Sequence, residues 1–221
     1  MGSVLIIPNA DFSANAIEQL SPLPSGYEML DWLESNGTQG LLTNYNPKNT
    51  TKIVMDVAFT LLNGSSAPNG GIVSTWQTNP QATADRFQIN FGNASFYYRM
   101  YTWTGNSNAD HYLALTSAQT VAGRSNLEVD LSAKTISYQG VTASIYTPMA
   151  SYSYPLRFLE NRQGTIMSTY KAKIYGITIY ENGVIVRKYV PVKYGATNGF
   201  FDLINDTYLR AENDINFIEP T

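Results

Sequence analysis

The sequence predicts an all-β protein: a two-sheet antiparallel β-sandwich of jelly-roll type with a short N-terminal arm. Three observations lead there. From Tyr27 onward, short apolar runs alternate with turn signals, and no stretch sustains a 3.6-residue period. About a dozen such runs occur, which suits a jelly roll better than a small immunoglobulin-like domain. The stretch Lys171 to Val192, KAKIYGITIYENGVIVRKYVPV, reads as two long strands joined by Asn182-Gly183. A two-residue type I′ turn needs φ > 0 at both central positions, which Asn tolerates and Gly adopts freely. Both arms are apolar at odd and even positions, so this hairpin is expected to be covered on both faces over much of its length.

The elements follow in order. Val4 to Ile7 is a short apolar run, followed by Asp11 and Phe12, a segment around Ile17, and the proline-bracketed connector Ser21-Pro22-Leu23-Pro24-Ser25-Gly26. Residues 1–24 are therefore read as an arm and linker and residues 25–221 as the sandwich, with Ile6, Ile7, Asp11, Phe12 and Ile17 as the arm's candidate assembly contacts. Strands are expected at Tyr27 to Leu33 and Gln39 to Thr43, around a turn at Ser35-Asn36-Gly37. Thr51 to Leu61 is the clearest half-buried strand: Ile53, Met55, Val57, Phe59 and Leu61 share one face, and Lys52, Asp56 and Thr60 the other. Ile72 to Trp76, Arg86 to Phe91, Ser95 to Trp103, Tyr112 to Leu115, Asn126 to Leu131, Thr135 to Tyr138 and Val141 to Ile145 continue the series, with a tight turn at Gln139-Gly140. Leu156 to Leu159 leads to the long hairpin. Gly199 to Ile204 and Thr207 to Arg210 close the chain around Asn205-Asp206.

Composition narrows the function classes. Charged residues make up 14% of the 221, and the net charge is -3; average globular chains carry roughly a quarter. Nucleic-acid binding by counterion release needs a clustered basic face, which this chain lacks. With no Cys there is no thiol or disulfide chemistry. Val4 to Ile7 is too short for a signal-peptide core, and no apolar run approaches a membrane span. Neither a signal peptide nor a membrane-spanning segment is therefore expected.

The C-terminal third resembles the concanavalin A-like lectin/glucanase superfamily, most closely the compact versions found in phages and in gut bacteria carrying phage-derived genes. The resemblance rests on Lys173-Ile174-Tyr175-Gly176-Ile177-Thr178-Ile179-Tyr180, Asn182-Gly183, Arg187-Lys188-Tyr189-Val190-Pro191 and Gly199-Phe200-Phe201-Asp202-Leu203-Ile204-Asn205-Asp206. Upstream, Tyr27 to Gln39 resembles the opening strand and turn of the same group, and Ala10-Asp11-Phe12-Ser13 a lead-in to it. Where relatives often carry Cys after the proline of the last long strand, this chain has Val192. The resemblance implies a two-sheet sandwich; because the superfamily holds lectins, glycosidases and virion modules, it does not choose among them.

The residues themselves test the chemistry. The resemblance implies that a glucanase of this fold would carry its carboxylates on one strand as Glu-x-Asp-x-x-Glu or Glu-x-Asp-x-Glu, one of them serving as acid. The nearest match is Glu128-Val129-Asp130, and neither Ser132 nor Ala133 supplies the second Glu, so both carboxylates are expected on a solvent face and no catalytic residue is assigned. The one His, His111, has no partner at a nucleophile motif's spacing, and a His/Cys zinc site is excluded by count. No cofactor is assigned; calcium, which needs no fixed ligand spacing, is left open without a motif. Sugar binding needs an aromatic face for the ring and amide or carboxylate groups for its hydroxyls. Trp76, Asn79, Tyr101, Trp103, Asn106, Asn108 and Asp110 have that composition, on loops that a jelly roll can bring to one rim. For most of the aromatics between Phe96 and Trp103, the simpler expectation is that they fill two sides of a sheet.

These readings converge on a non-enzymatic virion-type surface module with weak glycan adhesion. Its partners are expected to be copies of itself or other surface subunits, together with host-surface glycans. The alternative is a stand-alone carbohydrate-binding lectin; a glycoside hydrolase comes third.

Overall fold

The computed structural model describes residues 22–61, 70–75, 86–92, 95–101, 110–114, 123–145, 147–148, 150–159 and 170–221. Among them the regular structure is entirely β. The strands are β1 (Tyr27–Met29), β2 (Leu33–Ser35), β3 (Leu41–Leu42), β4 (Thr51–Leu61), β5 (Gly70–Ser74), β6 (Arg86–Gly92), β7 (Ser95–Tyr101) and β8 (Asp110–Ala114). They continue with β9 (Ser125–Asp130), β10 (Thr135–Tyr138), β11 (Val141–Ser144), β12 (Arg157–Phe158), β13 (Tyr170–Glu181), β14 (Val184–Tyr194), β15 (Thr197–Asp202) and β16 (Thr207–Leu209). A ten-stranded sheet runs β11-β10-β9-β4-β13-β14-β15-β16, with β1 on β14 and β2 on β13; a six-stranded sheet runs β3-β12-β5-β6-β7-β8. Every strand pair is antiparallel, so the chain is the two-sheet β-sandwich the sequence predicts.

β4 shows how period-2 patterning builds the core. Thr51, Ile53, Met55, Val57 and Phe59 are buried, while Lys52, Val54, Asp56 and Ala58 between them are half-buried. Successive Cβ atoms point to opposite faces, so one face of β4 lies under the six-stranded sheet and the other turns outward. Leu127 and Val129 from β9, Ile174, Ile177 and Ile179 from β13, and Phe87, Ile89 and Phe158 from the opposite sheet complete one continuous core.

The hairpin β13–β14 turns at Asn182 and Gly183, whose φ angles of 51° and 79° and the flanking pair Glu181↔Val184 define the type I′ turn. Gln139 and Gly140 repeat that geometry between β10 and β11. The two long arms pair from the turn as far as Ile177↔Tyr189. Beyond that point the chain from Tyr27 to Ser35 enters between their bases: β1 takes Val192–Tyr194 and β2 takes Ala172–Ile174. This is why the expected strand from Tyr27 to Leu33 is broken at 30–32, where the chain passes from one arm to the other. The C-terminal tail locks the wedge, with reciprocal backbone bonds between Glu34 and Ile218 and with Phe217 in the core.

Coverage of the hairpin differs from the sequence expectation. β13 alternates buried and half-buried positions as an ordinary one-faced strand. Only Tyr189 to Val192 of β14 is buried at every position. Tyr189 belongs to the main core, whereas Val190 and Val192 join Phe201 and Leu203 in a second cluster on the outer face of the large sheet. Leu23, Tyr27 and Tyr208 pack over that cluster.

Candidate functional site

The six-stranded sheet positions the candidate site through its register. Ser74 pairs with Gln88, and the Thr75 amide extends the β5–β6 ladder to the Phe87 carbonyl at 3.1 Å. The Phe87 amide in turn donates to Thr75 Oγ1 at 3.0 Å. The described chain beyond β5 therefore ends at Thr75, level with the start of β6 at Arg86 and Phe87. Arg86 pairs with Tyr101, the last residue of β7, and Asp110, the first of β8, lies opposite Arg99. Tyr101 and Asp110 thus lie at the same end of the sheet as Thr75 and Arg86. Of the candidate glycan contacts, Tyr101 and Asp110 sit at the roots of this pair of loops; Trp76, Asn79, Trp103, Asn106 and Asn108 lie outside the described residues. So do the arm candidates Ile6, Ile7, Asp11, Phe12 and Ile17.

At the same end, two antiparallel crossing segments close the sandwich. The Thr43 amide donates to the Leu156 carbonyl (2.9 Å), the Leu156 amide to Tyr45 (2.8 Å) and the Tyr152 amide to Pro47 (3.0 Å). Tyr152 meets the Phe87 ring edge-on, with centroids 5.0 Å apart, and so joins the crossing to the root of the first loop. The crossing delivers the chain to Thr51, which pairs with Glu181 beside the hairpin turn. The rim of the small sheet and the tip of the long hairpin therefore lie at the same end of the molecule.

Glu181 is the electrostatic centre of that end. Its carboxylate accepts from the hydroxyls of Tyr45 (2.5 Å), Thr50 and Thr51 (3.3 Å), with Lys48 Nζ 3.9 Å away. Burial alone would raise its pKa; the hydrogen bonds from Thr50 and Tyr45 together with the Lys48 charge outweigh that and hold it below the ordinary carboxylate value. Burial, reinforced by the bond to Glu181, pushes the Tyr45 phenol well above its usual range. Arg187 lies over the Tyr45 ring at 5.4 Å and faces Asp202 at 3.5 Å. Burial, with Asp202 nearby, likewise raises Tyr189. Every oxygen of Glu181 is engaged with its own scaffold, so it fastens the hairpin tip to the crossing segment and is not presented to a ligand.

Glu128 and Asp130 have equally structural roles. Both project from β9 opposite the buried Leu127 and Val129. Glu128 pairs with Lys52 at 2.6 Å, and Asp130 caps the following turn through Ser132 Oγ (2.7 Å) and the Ala133 amide (2.8 Å). They stand on the outer face of the large sheet, as the sequence reading expects, and cannot flank a bond held in a groove. Among the described residues there is no cluster of three or more acidic, His or Cys side chains able to hold a metal ion, and no helix long and apolar enough to cross a membrane.

Sequence reasoning missed two assemblies. The Glu181 cluster joins residues about 130 positions apart and leaves no local signature. The other is an aromatic roof at the opposite end: Tyr27 stacks on Tyr194 (4.6 Å, 26°), leans on Phe201 (4.9 Å) and meets Tyr208 edge-on (5.4 Å). Desolvation, with Tyr194 and Tyr208 beside it, raises the Tyr27 phenol. The two-residue spacing of Val190, Val192 and Tyr194 was the available signal.

Fold and described residues together define a two-sheet antiparallel β-sandwich. No family model matches the chain, and no curated protein matches it. Among solved structures it is similar to the binding domain of Paraclostridial Mosquitocidal Protein 1, at 14% identity and a TM-score of 0.48; the match covers 72% of this chain and 43% of that one. This chain thus spans less than half the length of that protein, and at such identity the likeness carries nothing about ligands.

Proposed function

We propose that the chain is a carbohydrate-binding, lectin-like module whose ligand site is the rim formed by segments 76–85 and 102–109. The observation that supports it is the register of β5 to β8, which roots both segments on one sheet edge. Trp76 and Trp103 each lie within two residues of a root, at Thr75 and Tyr101. Trp76 and Trp103 supply indole rings of the kind that stack on pyranose faces, and the Asn and Asp residues of the same segments suit the hydroxyls. A shallow site of this kind binds weakly per copy and gains strength from multivalent display.

The test is a glycan array probed with the multimerised protein. Binding to a defined glycan class is expected, with a loss of about tenfold or more on Trp76→Ala or Trp103→Ala and none on Glu128→Gln. A blank array at high valency overturns the proposal. Hydrolysis of β-glucans that is lost on Glu128→Gln would replace it with an enzyme.

A second reading, display on a virion or other particle, is favoured by one geometric feature. The chain enters the sandwich at Leu23 and Tyr27, beside Tyr194 at the far end of β14 from the hairpin tip. Eleven residues of strand put that foot roughly 33 Å from the rim. A module held by its foot presents its rim outward. Co-sedimentation of the full chain with the particle of its own source checks this, and absence from purified particles would end it.

A further inference from the structure

On the core side of the large sheet, towards the foot, three side chains that the glycan proposal does not use come together. Lys193 of β14 and Asn198 of β15 stand directly opposite one another. Alternation along the strands puts them on the same side as Tyr189 and Phe200, whose rings belong to the main core. Against them lies the C-terminal strap, held by the reciprocal backbone bonds between Glu34 and Ile218 and by Phe217, which meets Phe200 edge-on at 5.7 Å. The strap's next residue, Glu219, bridges the pair. One oxygen of its carboxylate accepts from Lys193 Nζ, and the other accepts from Asn198 Nδ2 at 3.2 Å.

The Asn198 carboxamide is fixed at both of its polar atoms, and the residue is only 4% exposed. Nδ2 also donates to the Phe217 carbonyl at 2.9 Å, and Oδ1 accepts from the Phe217 amide at 2.8 Å. A surface ion pair needs only Lys193 and Glu219, and docking of the strap needs only Asn198 and Phe217. The shared carboxylate goes further, because it joins an amine to a carboxamide. Exchange of one amide nitrogen for another needs these parts: an amine nucleophile, a carboxylate touching both the attacking and the leaving nitrogen, and a donor on the oxygen where charge develops. Cross-strand opposition holds the two reactants side by side before any reaction begins.

We propose that Lys193, Asn198 and Glu219 form a self-modifying site that joins β14 to β15 through an isopeptide bond. Glu219 takes a proton from the Lys193 ammonium, leaving a neutral amine that attacks Asn198 Cγ. The Phe217 amide holds the charge that then develops on Oδ1. Glu219 delivers its proton to Nδ2 and the Cγ–Nδ2 bond breaks as the Nζ–Cγ amide forms. The second proton shed by Nζ departs with the ammonia as ammonium, so the bond forms without oxidant, reductant or cofactor. Glu219, and Glu28 opposite Lys193 on β1, favour the charged amine. Bond formation therefore quickens as pH rises.

Mass spectrometry of the full chain, denatured after incubation at mildly alkaline pH, tests this. The expected product is lighter by one ammonia, is not cut by trypsin after Lys193, and is unchanged by hydroxylamine. Lys193→Arg, folded by circular dichroism, should lose no ammonia. Glu219→Gln, equally folded, should form the bond about a hundredfold more slowly, the usual worth of a general acid–base group. A parent chain that keeps its ammonia throughout overturns the proposal and leaves Lys193 and Glu219 as an ion pair. Ammonia loss that hydroxylamine reverses, with normal cleavage after Lys193, also overturns it, because Asn198-Gly199 has then closed on itself as a succinimide. Bond formation at the parental rate in Glu219→Gln overturns the role given to Glu219. None of these measurements involves the sugar rim, so failure of one proposal leaves the other standing.

Discussion

Replacing Glu181 with Gln isolates what fastens the hairpin tip to the rim. The carboxylate accepts from Tyr45, Thr50 and Thr51, and its side chain is only 12% exposed. Gln keeps the size and one acceptor oxygen but turns an NH2 group towards hydroxyls that now donate, so at least one buried bond is lost and the rest lose their charge. Hydrogen bonds to charged groups contribute about 1.5–3 kcal/mol each, and those of a shared network do not add. The net cost expected for Glu181→Gln is therefore about 2–3 kcal/mol. Glu128→Gln removes an exposed pair with Lys52 and should cost under about 1 kcal/mol. Urea denaturation measures both as midpoint shifts at constant slope. The pH dependence gives a second check. Glu181 has a folded pKa below its ordinary value of about 4.5, so its contribution is fully present above that value and is lost as pH falls through the folded pKa. The gap between parent and Glu181→Gln should accordingly be constant at neutral pH and close in acid. A gap below about 0.5 kcal/mol at pH 7, or one that persists unchanged through the acid range, would refute the fastening role.

Two glycines separate conformational strain from lack of space. Gly183 has open space around a would-be Cβ but sits at φ 79°, so Gly183→Val should cost at least about 1–2 kcal/mol through backbone strain alone; unchanged thermal stability would contradict the type I′ turn. Gly199 has an ordinary φ, yet a Cβ there would overlap the Leu209 carbonyl and stand 3.1 Å from the Tyr208 ring. Gly199→Ala should cost about 1–3 kcal/mol by forcing β15 and β16 apart, and loss of hydrogen-exchange protection confined to β16 would confirm where the strain goes.

Legibility in the sequence followed locality. β4 and β10 were readable to the residue because alternation and flanking turn residues decide them without help from elsewhere. The Asn182-Gly183 turn was equally plain, since its chemistry is contained in two residues. β1 and β2 were read as one strand because nothing in Tyr27 to Leu33 announces that the chain will pass from β14 to β13; the break is imposed by the wedge between the hairpin's bases. The same distance effect hid Glu181, whose partners Tyr45, Thr50 and Thr51 lie on a crossing segment rather than on its own hairpin. For the proposed rim, composition singled out segments 76–85 and 102–109 as candidates, and the pairing of Arg86 with Tyr101 brings the strand ends that flank them together.

The over-reading of the hairpin is the most informative mismatch. Apolar residues at odd and even positions of β14 suggested cover on both faces along its length, yet only Tyr189 to Val192 has it. The extra cover comes from Leu23, Tyr27 and Tyr208, so apolar residues on the outward face of β14 record a neighbour supplied by the chain's own beginning. The same logic applies to Met29 and Tyr194, which stay on that face without a described cover. At the opposite end the polarity reverses: Glu181, Thr50 and Thr51 hold the scaffold by charge and hydroxyls. An apolar foot and a polar hairpin tip thus mark opposite ends of the described sandwich. If the proposed rim is the ligand site, Tyr194→Ala should leave glycan-array binding unchanged, and a loss of binding there would count against the rim.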